Sequence, residues 1–554
     1  MAESLREYCD RRLNSMKAIR QDYEAEWRDI ARFAQPSRSR FLTSQSASEV
    51  NKGAKRRVRN SKLLDPHGIE AFRTLTNGMT SGLTSASRPW FALRLPDEKL
   101  NDQPGVRGWL SEVETAMYAF LGRSNFYGAA KAGYGEMGLF GTEAGIMIEH
   151  PTAGIVCHAL TAGEYWIAQG TAMTPDTLIA FMPMSARQAK ARYGDKAPRL
   201  ATQFIDAGDA EALVEVYQLI EPNPLHTPGN PFRKAWRSVH WCPQDEHNRI
   251  LDERGFDEQP FWAPRWDVVG GDTYGVSPGM EALPALRELQ MQAKRRNEAI
   301  DFMVHPEKVV KAGLRLTGEP RRIVSAASFD QNAVLIPYQM PYQAIAAIGE
   351  ESNKCRAQVD GLSFADLFNA ITNMRGIQPR NVEEIAVRNE EKLTQLGPVI
   401  ERVSNEKLEI VIDRTFGIMM RGGLLPPPPE ALAGIRIDVE FVSILAQMQR
   451  AVGVGQIERA LGMVGNVSAV APDVIDKVDM DEAVEEYASR LGVPAKIIRS
   501  KMDVDAMRAA RAQQQNAQQA ASVMPAVKDG AQAARLLSET DVGGRSMLEQ
   551  LTGI

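Results

Sequence analysis

Residues 277–303, SPGMEALPALRELQMQAKRRNEAIDFM, and residues 344–368, AIAAIGEESNKCRAQVDGLSFADLF, are two amphipathic runs separated by a proline-punctuated interval. In the first, Leu286, Leu289, Ala293, Ile300 and Met303 recur at helical spacing. Arg287, Glu288, Lys294, Arg295 and Glu298 take the other faces, which predicts a helix with one buried stripe. The second run is stricter: Ile345, Ile348, Ser352, Cys355, Val359 and Leu362 alternate short and long steps, the seam of one helix laid on another. Leu286, Leu289, Ile345, Ile348, Val359 and Leu362 are therefore the expected packing positions. Between the runs, Pro306, Gly313, Gly318, Pro320, Pro337 and Pro341 break periodicity around two short strand candidates, Lys308-Val309-Val310 and Ala333 to Ile336. The pattern predicts a small knob on two helical legs, the elements of a tube wall.

Working outward, Asn369 to Arg380 reads as a loop, since Asn373, Arg375, Gly376 and Pro379 interrupt helical spacing. A third helix is predicted from near Asn381 to Arg421, through Ile385, Leu393, Leu396, Ile400, Val403, Ile410, Val411, Phe416 and Ile418, with Gly422-Gly423 as its stop. It would be about 60 Å long if helical throughout, with a kink expected at Pro398. Upstream, residues 2–34 read as a packed outer helix with Leu5, Leu13, Met16, Ile19, Tyr23, Trp27 and Ile30 in register. Residues 37–62 gather Arg38, Arg40, Lys52, Lys55, Arg56, Arg57, Arg59 and Lys62 against Glu49, a mobile basic loop for a solvated surface, a subunit contact or nucleic acid. Asp65 to Thr84 and Gly105 to Gly141 read as helices. Arg88-Pro89-Trp90-Phe91 leads into a strand, with Trp90 and Phe91 as core anchors rather than a base-stacking platform. Gly145 to Trp266 reads as antiparallel β structure interrupted by a helix near Ala186 to Tyr193. Pro426 to Pro429 make an extended linker, residues 443–521 are mostly helical, and residues 522–554 read as a disordered tail.

The composition excludes several classes. With 44% hydrophobic and 24% charged residues and no run of 18 apolar residues, membrane insertion is not expected. The start of the chain lacks the features of a signal peptide, so synthesis in the cytoplasm is expected. Cys9, Cys157, Cys242 and Cys355 show no pairing rhythm and read as reduced, buried thiols. There is no G-x-x-x-x-G-K-[ST] motif for a nucleotide motor. His240, Cys242, Asp245, Glu246 and His247 lack a repeated ligand pair. Tyr127-Gly128-Ala129 and Gly133-Tyr134-Gly135 are better explained by close helix packing than by phosphate binding. No catalytic residue, metal or cofactor is assigned. The net charge of −5 opposes general attraction to phosphate, so any attraction to nucleic acid must be local.

Further segments carry a family resemblance: Ser81-Gly82-Leu83-Thr84 before Arg88-Pro89-Trp90-Phe91, Ile412-Asp413-Arg414-Thr415-Phe416 before Leu425-Pro426-Pro427-Pro428-Pro429, and Ser443-Ile444-Leu445-Ala446-Gln447. Val478-Asp479 followed by Gly492-Val493-Pro494 and a Gln-rich helix extends it. Taken together, the chain resembles the portal proteins, or head-to-tail connectors, of short-tailed bacteriophages. The resemblance implies an α+β, mainly helical fold with wing, stem, clip and crown regions in a cyclic ring of twelve. It assigns 1–276 to the N-terminal wing, 277–304 and 344–368 to the stem helices, 305–343 to the clip and 369–380 to a tunnel loop. Residues 381–425 become a long wing helix, 426–442 a linker and strand, 443–521 the crown and 522–554 the tail. It also implies a non-enzymatic virion protein at the portal vertex, assembled in the host cytoplasm. The implied roles are DNA packaging and ejection, and the partners are double-stranded DNA without sequence preference, the packaging terminase, tail adaptors, and capsid and scaffold proteins. Lys354, Arg356, Asn373, Arg375 and Arg380 are the candidates for facing DNA, with pairing between subunits as their alternative. Lys308, Lys311, Arg315, Arg321 and Arg322 are the candidates for docking partners at the clip, or for pairing with neighbouring clips. The competing reading is a structural tail or scaffold protein with no channel; an enzyme comes third.

Overall fold

Ser4 and Glu7 cap each other at the start of the first helix, the Ser4 hydroxyl accepting from Glu7 N at 3.2 Å and the Glu7 carboxylate accepting from Ser4 N at 2.9 Å. The computed structural model describes residues 4–429 except 39, 43–62, 97–103, 231–232, 246–248, 311–333, 337–340 and 374–393, then 432, 437–442, 454–468 and short stretches from 471 to 546. Helix α1 (Leu5–Phe33) buries Cys9, Leu13, Met16, Trp27 and Ile30. Ile19, expected in that row, is 43% exposed. The next residue turns inward instead: Arg20 pairs with Glu24 at 2.7 Å, donates to Tyr165 O at 2.7 Å and lies 4.1 Å from the Trp166 ring centroid. A guanidinium whose three nitrogens all donate to partners can occupy a buried position beside the one where an apolar side chain was expected. Arg38, at the end of a short 3-10 turn (Pro36–Arg38), pairs with Glu136; the greater part of the basic stretch lies outside the described residues.

Helix α2 (His67–Leu83) follows, then α3 (Pro104–Arg123) and α4 (Phe126–Phe140). The single helix expected over 105–141 is thus two. Asn125 leaves the helical path to bracket the backbone of Cys157, with both bonds at 2.7 Å. Trp90 and Phe91 are buried, and the Tyr118 hydroxyl accepts from both of their N–H groups at 2.8 Å and donates to Phe91 O at 2.6 Å, which fixes β1 (Phe91–Arg94) against α3.

The antiparallel region comprises β2 (Ala144–His150), β3 (Gly154–Leu160), β4 (Tyr165–Gln169), β5 (Pro175–Ser185), helices α5 (Ala186–Tyr193) and α6 (Arg199–Asp206), β6 (Leu213–Pro222), β7 (Trp236–Trp241), β8 (Ile250–Phe256) and β9 (Phe261–Trp262). It forms two sheets, ordered β3-β2-β9 and β4-β5-β6-β7-β8. A cap on Ser185, whose hydroxyl accepts from Gln188 N, begins the expected interrupting helix.

Two legs leave this body. Helix α7 (Pro278–Val304) begins with the Ser277 hydroxyl accepting from Met280 N at 3.0 Å and Pro278 in its first turn. Strands β10 (Val309–Val310) and β11 (Val334–Leu335) pair antiparallel, Val309 opposite Leu335, as the two strand candidates require. Helix α8 (Tyr342–Leu362) returns alongside α7. The helix expected to run unbroken to Phe368 stops here: Phe364 takes a left-handed φ of 56° and sets its ring 5.8 Å from that of Trp266. Helix α9 (Ala365–Asn373) then starts in a new direction, so the loop expected from Asn369 begins no earlier than residue 374. Gly78 of α2 makes room for this turn; a Cβ there would lie 2.2 Å from the Phe368 ring.

Helix α10 covers residues 394–403, and a π turn (Ser404–Leu408) joins it to α11 (Glu409–Arg421). Pro398 lies within α10, and the π turn follows it. The expected start of this helix, 381–393, lies outside the described residues. After the prolines, whose Pro426 carbonyl accepts from Trp109 Nε1 at 3.0 Å, β12 (Asp438–Phe441) pairs antiparallel with β1, Phe441 opposite Phe91.

The chain divides into two compact units, 1–452 and 453–554. The second contains α12 (Val454–Ser468), which leaves Met463 and Val467 exposed, and a short helical stretch near 480–484 whose backbone is capped by the Asp479 carboxylate at 3.0 Å. Arg508 pairs with Asp481 at 2.8 Å. Within the tail expected to be disordered, β13 (Asp541–Val542) and β14 (Arg545–Ser546) pair antiparallel.

Candidate functional site

The leg pair is half finished as a packed object. Near the body, Leu286, Leu289 and Ala293 of α7 and Ser352, Cys355 and Val359 of α8 are buried. Away from it the expected stripe comes to the surface: Ile300 is 40% exposed and Met303 42%, while Ile345 and Ile348 are half-buried; Leu362, at the body end of α8, is 36% exposed. Val304, Val309 and Tyr342 are also exposed. These positions keep the spacing of a seam, and within the chain only the part of it near the body is buried.

One side of the legs is tied to α2. Gln290 accepts from Leu64 N at 2.8 Å and from Asp65 N at 3.1 Å, and donates to Asp65 O at 2.7 Å. Arg356 donates to Asp65 Oδ2 at 2.7 Å, and His67 Nε2 lies 2.9 Å from Asp360 Oδ1. Arg356, a candidate for facing DNA, is therefore a strut between α8 and the approach to α2. Lys354 points elsewhere: it is exposed and pairs with Glu351 at 3.0 Å. Arg295 of α7 is exposed as well and was not singled out from sequence, because a lone arginine in a basic run carries no distinguishing signal. Asn373 ends α9, and Arg375 and Arg380 lie outside the described residues. Lys308 is exposed beside β10, whereas Lys311, Arg315, Arg321 and Arg322 lie outside the described residues.

The legs are rooted in a body whose charges are buried in pairs. Lys407 Nζ lies 2.7 Å from Glu143 Oε1 and 3.8 Å from the Tyr134 ring centroid, and Trp262 Nε1 donates to the same carboxylate oxygen at 2.7 Å. Burial pushes the Glu143 carboxyl up and the Lys407 ammonium down, and each charge counters the shift of the other. Next to it, Arg265 Nη2 meets Glu406 Oε1 at 2.7 Å. The π turn fits one more residue into the turn, so Glu406, Lys407 and Leu408 are all buried. Gly133 leaves space for Glu143; a Cβ there would lie 1.9 Å from its Oε1. The sequence reading missed this network, although Lys407 falls at the helical phase of Leu396, Ile400, Val403 and Val411 and so announces a charge at a core position. His240, from the metal-like group, instead bonds the Tyr193 hydroxyl at 2.8 Å, and burial holds its ring down to about 3, neutral at ordinary pH.

The family described as bacteriophage head to tail connecting protein matches residues 6–498 of this sequence. The chain belongs to this family of phage connector, or portal, proteins. It is 33% identical to the portal protein of Salmonella phage epsilon15 over 99% of this chain and 98% of that one. It is likewise 33% identical to the probable portal protein of Bordetella phage BPP-1, over 98% and 97%. A chain from the neck of an empty GTA particle shows a slight likeness, with a TM-score of 0.34 and 14% identity across 78% of this chain and 90% of its own. In this connector, the segments that carry the family resemblance do structural work. Arg414 is buried, donates to Met147 O at 3.1 Å and Glu258 Oε2 at 3.3 Å, and lies 4.8 Å from the Phe256 ring centroid. Among its described residues, no helix is long and apolar enough to cross a membrane.

Proposed function

We propose that copies of this chain close into a ring of twelve at one capsid vertex of a short-tailed phage, forming the channel for DNA packaging and ejection and the attachment point for the tail. The family match along nearly the whole chain carries this reading. The legs support it physically, since their outer halves expose large apolar side chains that identical neighbours would cover. Such a ring would hold about 60 net negative charges, so duplex DNA would pass a surface that repels it overall and contacts it locally. Lys354, with Asn373, Arg375 and Arg380, are the groups assigned to the lumen, and Arg295 joins them. The β10–β11 knob with Lys308, Lys311, Arg315, Arg321 and Arg322 is assigned to docking the packaging terminase and then the tail adaptors. Capsid and scaffold proteins are assigned to the outer wing. The ring takes no enzymatic step of its own and becomes a virion component after assembly in the host cytoplasm. A tail or scaffold protein without a channel has no observation in its favour. Negative-stain imaging of the purified protein is expected to give rings with a central hole; rods or compact monomers under all assembly conditions would overturn the proposal.

A further inference from the structure

Resting on the ring reading, we propose that the flank of α7 carrying Lys294 docks on the flank of α8 carrying Glu350 in the next copy of this chain, and that this ion pair helps to set the register of the ring. The two residues lie at matching heights on opposite flanks of one protomer. Glu288 of α7 lies beside Cys355 of α8, whose thiol is pushed up by burial and then by the Glu288 charge. From that level the helices run in opposite directions along the legs. Lys294 is six residues past Glu288 and Gly349 six before Cys355, so Lys294 and Glu350 stand at nearly one height.

The flanks follow from the partners already in place. Ser352, Cys355 and Val359 form the buried row of α8, while Arg356 and Asp360 turn toward Asp65 and His67. At 3.6 residues per turn, Ala346, Glu350 and Ala357 lie roughly opposite the buried row, and all three are exposed. On α7, Glu288 turns toward α8, Gln292 and Ala299 share its helical phase and are buried, and Lys294, about a third of a turn round from Glu288, is about two-thirds exposed. Lys294 thus stands on one flank beside Glu298, and Glu350 on the other beside Lys354. Rotation about a ring axis parallel to the legs keeps heights unchanged, so the base of each copy meets the acid of the next. Neither charge has a strong partner at home: Lys294 is 3.6 Å from Glu298, an exposed pair. Lys354 bonds Glu351 rather than Glu350.

The test uses Lys294→Glu, Glu350→Lys and the double reversal in the full chain, with ring content measured by sedimentation velocity and negative stain. Each single reversal is expected to lower the ring fraction about tenfold at low salt, because like charges then face each other at every interface. The double reversal should restore it. An equimolar mixture of the two single variants should also restore it, since alternating copies place opposite charges at every contact, whereas no pairing within a protomer would respond to mixing. Circular dichroism should find all the protomers folded, both sites being exposed. If wild-type rings form and the single variants assemble equally well, or if neither the double reversal nor the mixture recovers rings, this pairing is wrong while the ring stands. If the wild-type protein forms no rings, the ring reading itself falls.

Discussion

At the π turn, Glu406 and Lys407 are buried side by side and each meets an opposite charge, Arg265 and Glu143. On the legs, Lys294, Arg295, Glu350 and Lys354 stand in solvent with weak partners or none that bury them. In the first region water is excluded, so an unmatched charge would be costly and each side chain has one acceptable place. In the second, water screens every charge, so the same residue types contribute little to the folded protomer and remain available to other molecules. The charges of the body fix the long helix against the sheets, whereas those of the legs are left in solvent.

The largest test of that contrast is Lys407→Met, which strands the Glu143 carboxylate and is expected to destabilise the protomer by roughly 3–5 kcal/mol. Lys407→Met combined with Glu143→Gln should regain a large part of the loss in chemical denaturation. A double variant no more stable than the single one would mean that shape rather than charge governs the site. Packing comes next. Leu286→Ala, at a fully buried position, is expected to cost about 2–5 kcal/mol. Ile348→Ala, half-buried in the protomer, should cost less than half as much by the same denaturant titration but weaken assembly. Equal losses in isolated protomers would erase the distinction between the two halves of the leg.

A smaller effect comes from Glu164, whose carboxyl is pushed up to about 7, first by burial, with the Thr161 N–H pulling it back. Its folded value lies above its unfolded one, so the fold binds the proton more tightly. The associated stability is fully present below the ordinary carboxylate range and is lost as pH rises through about 7. Thermal midpoints of the wild-type protein should therefore decline across that window, and Glu164→Gln, which keeps an acceptor for Thr161, should flatten the decline. Parallel profiles would remove Glu164 as its cause. The smallest effect on the protomer is expected for Lys354→Glu: unchanged melting and intact rings, but reduced packaging or retention of DNA, more so with Arg375→Glu. Rings carrying both substitutions that package and retain DNA normally would take Lys354 and Arg375 off the list of lumen groups.

Much of the architecture was legible because it rests on local rules. The stripe from Leu286 to Ala293, the seam through Ser352, Cys355 and Val359, and the strands at Val309 and Val334 all follow from spacing and from turn residues. The misses share a cause. Phe364 breaks its helix because Trp266, nearly a hundred residues away in sequence, offers a ring to pack on. Arg20 displaces Ile19 because Glu24 and the Tyr165 carbonyl complete its hydrogen bonds. Arg356 is tied to Asp65, nearly three hundred residues away in sequence. No periodicity within a helix encodes a partner on a distant element.

By itself the sequence determined the order of helices and strands, the paired legs with their knob and membership in the connector family, because caps, turns and apolar spacing act over a few residues. The tertiary structure decided which of the charged residues are committed. Arg356, Lys407 and Arg414 are bound within the protomer and Lys294, Glu350 and Lys354 are left in solvent, because the fate of a charge depends on the dielectric and on the partners that folding brings to it.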